Sequence, residues 1–152
     1  MQLEEKEIAE LIKVAKETRE FAMAFKSITK VGASVLSSDG EIFGGCNIDG
    51  VSSGQGSCAE RTALTHAVAH GKYRIRALCT YGETECLPCG DCLQFALMFC
   101  QISGGDMVVV VASGEKEYEI TSVKTLLPRG FETEKFRETL AGYRGGKNGA
   151  GN

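Results

Sequence analysis

Three cysteines and one glutamate, placed at two points of the chain, constrain the fold more than any other feature. Cys58 and Glu60 are separated by one residue, and Cys89 and Cys92 follow in a second segment. Three thiolates leave the fourth position of a tetrahedral zinc open for water or substrate, whereas a fourth protein ligand would close it. The pattern therefore predicts a catalytic zinc site with Glu60 beside it as a proton carrier. The fold must bring the two segments together.

Cysteine usage favours metal binding over disulfides. The chain has seven cysteines, an odd number, all between residues 46 and 100. In a reducing compartment this pattern indicates metal ligands or core packing. Three of them lie in or beside apolar stretches and are predicted to be small buried hydrophobes: Cys46, Cys79 and Cys100. Cys86 is ambiguous, because Cys86-x-x-Cys89-x-x-Cys92 contains two overlapping pairs and spacing alone does not choose between them.

Length and charge limit the classes of function. A chain of 152 residues is predicted to form one domain, over residues 1–141, followed by a disordered glycine-rich tail over 142–152. A net charge of -3 argues against a nucleic-acid polymer as partner, since such a surface needs a basic face. The sequence contains no apolar run of membrane-spanning length and no secretory signal at its start. We therefore expect a cytoplasmic protein that does not bind membranes.

Hydrophobic periodicity predicts an α/β fold. The predicted helices are Glu4–Phe25, Ser57–His70, Gly90–Gln101 and Glu132–Leu140. The predicted strands are Val31–Leu36, Glu41–Cys46, Arg76–Tyr81, Met107–Ala112 and Glu117–Val123, the fourth central in a sheet and the fifth at an edge. This order fits a mixed sheet with helices on its faces. Cys58, Glu60 and Cys92 then lie in the first turns of two helices, where the helix dipole favours a thiolate.

Arg61 is the candidate for offsetting excess negative charge at the site. Three thiolates on Zn²⁺ leave a net charge of about -1, which weakens the metal as a Lewis acid. Arg61 directly follows Glu60 and could donate to the cysteine sulfurs. A solvent-exposed helix arginine is the alternative.

From about Val31 to Phe131 the chain resembles the cytidine deaminase family, in particular its small tetrameric branch with three zinc-binding cysteines. The matching segments are Val31-Gly32-Ala33, Asp39-Gly40, Gly45-Cys46-Asn47-Ile48, Cys58-Ala59-Glu60-Arg61-Thr62-Ala63, Pro88-Cys89-Gly90-x-Cys92-x-Gln94, and Leu126-Leu127-Pro128 with Phe131. The resemblance implies a three-layer α/β/α fold with a five-stranded mixed sheet. It also implies hydrolytic deamination of a free cytosine nucleoside, as in pyrimidine salvage.

The resemblance assigns a role to each matching residue. One Zn²⁺ per chain would be held by Cys58, Cys89 and Cys92, which resolves the ambiguity at Cys86. Glu60 would pass a proton from a water on the zinc to the ring nitrogen, and would then protonate the departing amine. The resemblance also implies that the backbone of Ala59 contacts the amide edge of the base and that Arg61 donates hydrogen bonds to the thiolates. Phe131 of a neighbouring subunit would stack on the base. The protein would be a homotetramer whose sites are completed across subunits.

The predicted sugar pocket departs from the family. Its usual Asn-x-Glu pair, which holds a ribose hydroxyl, is here Asn47-Ile48-Asp49, with an acid one methylene shorter. Thr29 stands where an aromatic residue usually packs against the nucleoside. A modified cytosine nucleoside such as blasticidin S is therefore an alternative substrate. A zinc-stabilised binding protein without activity is a further alternative, although such a protein would have no need of Glu60.

Overall fold

The computed structural model describes residues 2–114 and 117–145. The helices are α1 (Glu5–Arg19), α2 (Ala59–Ala69), α3 (Gly90–Ser103), α4 (Val123–Leu126) and α5 (Arg137–Gly142), followed by a 3₁₀ helix (Tyr143–Gly145). The strands are β1 (Gly32–Ser37), β2 (Ile42–Cys46), β3 (Ile75–Tyr81), β4 (Val108–Ala112) and β5 (Tyr118–Ser122). Within these described ranges, no helix has the length and apolar character needed to cross a bilayer.

The strands form one mixed sheet in the order β2-β1-β3-β4-β5. Only β3 and β4 are parallel, and the other neighbouring pairs are antiparallel. The prediction of a five-stranded mixed sheet is confirmed, and so are the interior place of β4 and the edge place of β5. The amino end of β1 and the carboxyl ends of β2 and β3 meet at one edge, because Gly32 pairs with both Cys46 and Tyr81.

Both faces of the sheet are covered, which explains the nearly continuous apolar character of β3 and β4. On one face α1 buries an apolar cluster with alternate residues of the central strands: Ile8, Leu11, Ile12, Ala15, Leu36, Ala77, Cys79, Val110 and Ala112. On the other face α2 and α3 pack over the remaining alternate residues, among them Ala33, Val35, Leu78 and Val109. The three-layer α/β/α arrangement predicted from the sequence is confirmed.

Gly45 lets α2 lie directly on the sheet. A Cβ at this position of β2 would be 2.3 Å from the backbone nitrogen of Ala63, closer than any real contact. The strand and the helix backbone therefore approach without an intervening side chain. This close packing fixes the start of α2, and with it Cys58 and Glu60, at the sheet edge.

Two helices differ from their predicted bounds because tertiary hydrogen bonds replace helical ones. The first helix ends at Arg19 and not at Phe25, since residues 23–27 bond to the loop after β2 instead, partly through a bridge between Met23 and Ile48. The last helix begins at Arg137 and not at Glu132, because the preceding segment is held by side chains of α3.

The predicted start of the tail at residue 142 is too early. Gly142 is the last residue of α5, and a 3₁₀ helix follows directly. Arg144 donates from Nε to the carbonyl of Ile102 at 2.5 Å and from Nη2 to that of Gln101 at 3.3 Å. These bonds fix the segment to the end of α3. The rest of the predicted tail, residues 146–152, lies outside the described residues.

Candidate metal centre

The three cysteines predicted as zinc ligands come together in space. The Sγ atoms of Cys58, Cys89 and Cys92 all lie within 4.8 Å of one another, and those of Cys58 and Cys89 are 4.0 Å apart. Zinc–sulfur bonds in a tetrahedral site place the sulfurs about 4 Å apart. The cluster therefore fits one Zn²⁺ with a small adjustment, and three ligands leave one position open.

The two helix starts that build the cluster have the same local structure. Cys58 is the N-cap of α2 with φ -69° and ψ 156°, and Cys89 is the N-cap of α3 with φ -69° and ψ 163°. N-cap side chains usually accept a bond from the first turn, but neither cysteine makes a side-chain capping bond. Both sulfurs are thus available to a metal, and Cys92 adds the third from the first turn of α3.

Burial and the helix dipoles act on these thiols in opposite directions. Burial raises the pKa of the Cys58 thiol and of the Cys92 thiol above their ordinary values. The positive ends of α2 and α3 favour the thiolate form. Because a bound divalent cation deprotonates coordinating thiols outright, metal binding would release protons from this cluster.

Glu60 lies beside the thiols in the first turn of α2. Among the residues that the structure describes, it is the one buried side chain that carries a carboxyl or basic group, with 4 % of its surface exposed. Burial raises the pKa of the Glu60 carboxyl, while a hydrogen bond from the Cys92 thiol opposes that rise in part. A carboxyl group whose pKa is raised holds a proton more readily than an exposed one, which suits a carrier of protons.

Arg61 pairs with a carboxylate of the next helix. Its Nη1 donates to Oδ2 of Asp91 at 2.5 Å, and its guanidinium lies 5.3 Å from the ring centroid of Phe95. Within residues 2–114 and 117–145 it makes no hydrogen bond to a cysteine sulfur. The Arg61–Asp91 pair instead links the first turn of α2 to the first turn of α3, and Asp91 adds a negative charge near the cluster.

Cys86 is near the centre but outside the cluster of three thiols. Burial raises the pKa of its thiol, and the negative charge of Glu60 raises it further, which places the two side chains in the same surroundings. The carbonyl of Cys86 accepts a hydrogen bond from Oγ1 of Thr80 at 2.7 Å. Of the three cysteines predicted to be core hydrophobes, Cys79 and Cys100 are buried and Cys46 is half-buried.

The side chains predicted to hold the sugar are engaged within the chain. Oδ1 of Asn47 accepts the N–H of Val31 at 2.8 Å, and its Nδ2 donates to the carbonyl of Thr29 at 2.8 Å. Oδ2 of Asp49 accepts the N–H groups of Lys26 at 2.7 Å and of Ser27 at 2.8 Å. These backbone hydrogen bonds, that of Ser27 first, lower the pKa of the Asp49 carboxyl. The two residues thus fasten the segment after α1 to the sheet edge.

That fastened segment contains a strained residue. Ile28 has φ 64°, which is the left-handed region and is rare for a β-branched side chain. It lies between Ser27, held by Asp49, and Thr29, held by Asn47. Its side chain is 86 % exposed. The bonds from Asn47 and Asp49 on either side keep this conformation in place.

Ala59 and Phe131 differ in their surroundings. Ala59 is the first residue of α2 and is fully buried, and its N–H belongs to the first turn, which has no acceptor within the helix. Phe131 is 75 % exposed and follows α4. It lines a cavity of about 380 Å³ together with residues of α3 and α5.

Gln94 and Gln101, which had no predicted role, make hydrogen bonds to the backbone of Phe131 and Thr133. The signal that could have indicated them is their spacing of seven residues on a predicted helix, since such residues lie on one side. Asp91 was also missed. Its partner could not be identified, because the relative placement of α2 and α3 is a tertiary feature.

The family model described as the cytidine and deoxycytidylate deaminase zinc-binding region matches residues 5–111. A cytidine deaminase of Sporosarcina psychrophila is 38 % identical over 130 residues, which cover 84 % of this chain and 93 % of that protein. One of Halalkalibacterium halodurans is 34 % identical, with 84 % and 96 % covered.

Solved structures show the same architecture. The crystal structure of a cytidine deaminase from Burkholderia pseudomallei superposes with a TM-score of 0.72 at 38 % identity, covering 80 % of this chain and 97 % of that one. The three-cysteine cluster, the mixed sheet and these matches agree with one another. The chain belongs to the cytidine and deoxycytidylate deaminase zinc-binding family.

Proposed function

We propose that this protein catalyses the hydrolytic deamination of a free cytosine nucleoside, in which cytidine or deoxycytidine and water give uridine or deoxyuridine and ammonia. The observation that carries the proposal is the buried Glu60, in contact with one thiol of a three-cysteine cluster. A purely structural zinc site would have no use for such a carboxyl group. The relatives named above are cytidine deaminases.

Cys58, Cys89 and Cys92 would hold one Zn²⁺ in this mechanism. When bound, the metal lowers the pKa of a water molecule so that it can attack the base. Glu60 would accept one proton from that water and deliver it to the ring nitrogen, which keeps it in the product. It would then carry the second proton, from the hydroxyl group added to the base, to the amine, which leaves as ammonia. Its raised pKa suits both transfers, since a more basic carboxylate accepts a proton more readily. The N–H of Ala59 is free to contact the polar edge of the base.

The homotetramer belongs to the proposal, with Phe131 of one subunit stacking on the base bound by another. Large apolar side chains are exposed on the segment after α1 and on the loop after β2: Phe21, Met23, Phe25, Ile28 and Val51. Such a patch on a protein of this size is typical of a subunit interface. Size-exclusion chromatography with light scattering would give the number of chains, and a monomer would contradict this part of the proposal.

A cytoplasmic location is also proposed. All seven cysteines have free thiols in the structure, which fits a reducing compartment.

The test of the activity is the loss of the cytosine chromophore. The purified, zinc-loaded protein is incubated with cytidine, deoxycytidine and blasticidin S in parallel, and ultraviolet absorbance is followed. Glu60→Gln, loaded with the same amount of zinc, is the control. We expect absorbance to fall with cytidine and deoxycytidine for the wild type only.

If blasticidin S alone is converted, the proposed reaction stands, but the substrate is a modified cytosine nucleoside and not cytidine or deoxycytidine. This outcome has specific support, because the Asp49 carboxylate is engaged by Lys26 and Ser27. No conversion of any of the three compounds by protein with one zinc per chain would contradict the proposal.

A further inference from the structure

Gln94 and Gln101 clamp the segment that carries Phe131. Oε1 of Gln94 accepts the N–H of Phe131 at 2.8 Å, and its Nε2 donates to the carbonyl of the same residue at 2.7 Å. Gln101 bonds Thr133 in the same way, at 3.3 Å and 3.2 Å. Each glutamine thus satisfies both backbone polar groups of one residue, as a neighbouring strand would.

The segment before Phe131 packs closely on α3. A Cβ on Gly130 would lie 2.4 Å from Cδ2 of Leu97 in α3. Gly130 thus packs directly on the Leu97 side chain, which would have to shift to admit a larger residue. Because of this approach, the backbone of Phe131 lies within reach of the Gln94 amide.

The aromatic ring of Phe131 is exposed although its backbone is fixed. Three quarters of the residue, 75 %, is accessible to solvent. Ordering a contact residue before its ligand arrives removes an entropy cost that binding would otherwise bear. An exposed ring on an immobilised backbone is therefore suited to stacking on a ligand.

The direction of the clamp separates Phe131 from the zinc cluster of its own chain. Successive residues of an α-helix are rotated by about 100°, so Gln94 leaves α3 about 200° from Cys92. Cys92 is buried toward the other thiols, whereas Gln94 and Gln101 face the cavity lined by Phe131. The ring is thus displayed on the far side of α3, where a second copy of the chain can meet it.

We propose that Gln94 is a positioning residue, which orients Phe131 for stacking on the pyrimidine base bound at a neighbouring subunit. The inference rests on the proposed function, in which Phe131 contacts the base. Gln94 does not touch the substrate and acts through the backbone of Phe131. Gln101 holds Thr133 and contributes only to the direction of the segment.

The test is a double-mutant cycle with a matched control. Gln94→Met keeps the length of the side chain and removes both hydrogen bonds, and Gln101→Met does the same two turns further along α3. Phe131→Ala should raise KM for cytidine roughly 10-fold or more through lost stacking. Gln94→Met should raise KM roughly 3-fold to 10-fold, with kcat and zinc content nearly unchanged. Gln101→Met should change KM less, and Gln94→Asn, which keeps a shortened amide, should lie between Gln94→Met and the wild type.

The double variant decides between positioning and a general loss of structure. In the Phe131→Ala background, Gln94→Met should have no further effect on KM, because its target ring is gone. The inference would be overturned if Gln94→Met raised KM as much in the Phe131→Ala background as in the wild type. Equal increases in KM from Gln94→Met and Gln101→Met would also overturn it. If Phe131→Ala itself leaves KM unchanged, the role of Phe131 in the proposed function fails, and the inference fails with it.

A second measurement does not depend on activity. The chain has no tryptophan, so Phe131→Trp introduces a single fluorescent reporter at the clamped position. We expect the fluorescence anisotropy of this indole to fall when Gln94→Met is added and to stay nearly constant when Gln101→Met is added. An anisotropy unaffected by Gln94→Met would show that the amide does not order the ring, and would also overturn the inference.

Discussion

The zinc cluster and the surroundings of the predicted substrate are built in different ways. The cluster takes its ligands from the starts of two helices, where neither Cys58 nor Cys89 makes a side-chain capping bond. The predicted substrate contacts lie on loops, where Asn47 and Asp49 already bond to the backbone of a distant segment. Local helix starts can therefore be recognised in a sequence, whereas the partners of loop side chains depend on which segments meet in space. Each variant below tests one side of this comparison.

Cys92→Ser should have the largest effect. Removing one of three ligands should abolish zinc retention and activity, because hydroxyl oxygen is a poor ligand for zinc compared with thiolate. Metal content by mass spectrometry and the absorbance assay check this. Cys86→Ser is the matched control, since Cys86 is near Glu60 but outside the cluster. Loss of zinc in Cys86→Ser would show that the wrong CxxC pair had been assigned.

Glu60→Gln should keep zinc and lose activity by roughly 10²-fold to 10⁴-fold, the usual contribution of a general acid–base. It should also make the metal-free protein more stable at neutral pH, because burial raises the pKa of this carboxyl and so disfavours its charged form.

The sign of this stability change follows from proton linkage. Below the ordinary pKa of glutamate the residue is protonated in both the folded and unfolded states, and the two proteins should unfold alike. As pH rises through the folded pKa the wild type loses stability relative to Glu60→Gln. Thermal unfolding of both proteins in the presence of a chelator, from about pH 4 to about pH 8, measures the difference in stability. This range begins near the ordinary pKa of glutamate and extends well above it. A constant difference across that range would contradict a raised pKa.

Asp49→Asn should lower Tm at neutral pH with a smaller effect on activity than Glu60→Gln. Hydrogen bonds lower the pKa of Asp49, so its contribution to stability is present above the ordinary pKa of aspartate and is lost as pH falls through the folded value. The Tm difference should therefore close in acid. Calorimetry at neutral and acidic pH measures it.

The same variant tests whether Asp49 also binds the sugar. The ratio of kcat/KM for deoxycytidine to that for 2′,3′-dideoxycytidine should be equal in the wild type and in Asp49→Asn. Asp106→Asn is the control, because Asp106 also accepts two backbone N–H groups but lies before β4, at the opposite end of the sheet. A ratio that falls only in Asp49→Asn would show that the carboxylate leaves its turn to bind a hydroxyl group.

Asp91→Asn should have the smallest effect. The Arg61–Asp91 pair is largely exposed, and such pairs contribute at most about 1 kcal/mol. Denaturant unfolding should therefore change little, while Arg61 becomes free to turn toward the thiolates. A loss of several kcal/mol would mean that this pair holds α2 against α3.

The three-cysteine cluster and Glu60 could be predicted from the sequence because their placement depends on local helix starts. Helix periodicity placed Cys58, Glu60 and Cys92 in first turns; the structure has Glu60 and Cys92 there and Cys58 at the N-cap directly before α2. The sheet followed from alternating elements with turn residues between them. The end of α1 could not be predicted in this way, because the bonds from Asp49 that hold Lys26 and Ser27 join segments far apart in the sequence. The clamp on Phe131 was missed for the same reason.

The two cysteine N-caps have a consequence for the dynamics of the protein. Cys58 and Cys89 leave the first N–H groups of α2 and α3 without a side-chain acceptor, so both helix ends are prone to fray. A metal bound by both sulfurs would reduce the fraying of both helix starts at the same time. Amide hydrogen exchange at residues 59–61 and 90–92 should therefore slow together on metal binding, and these backbone amides would report occupancy of the site without any substrate.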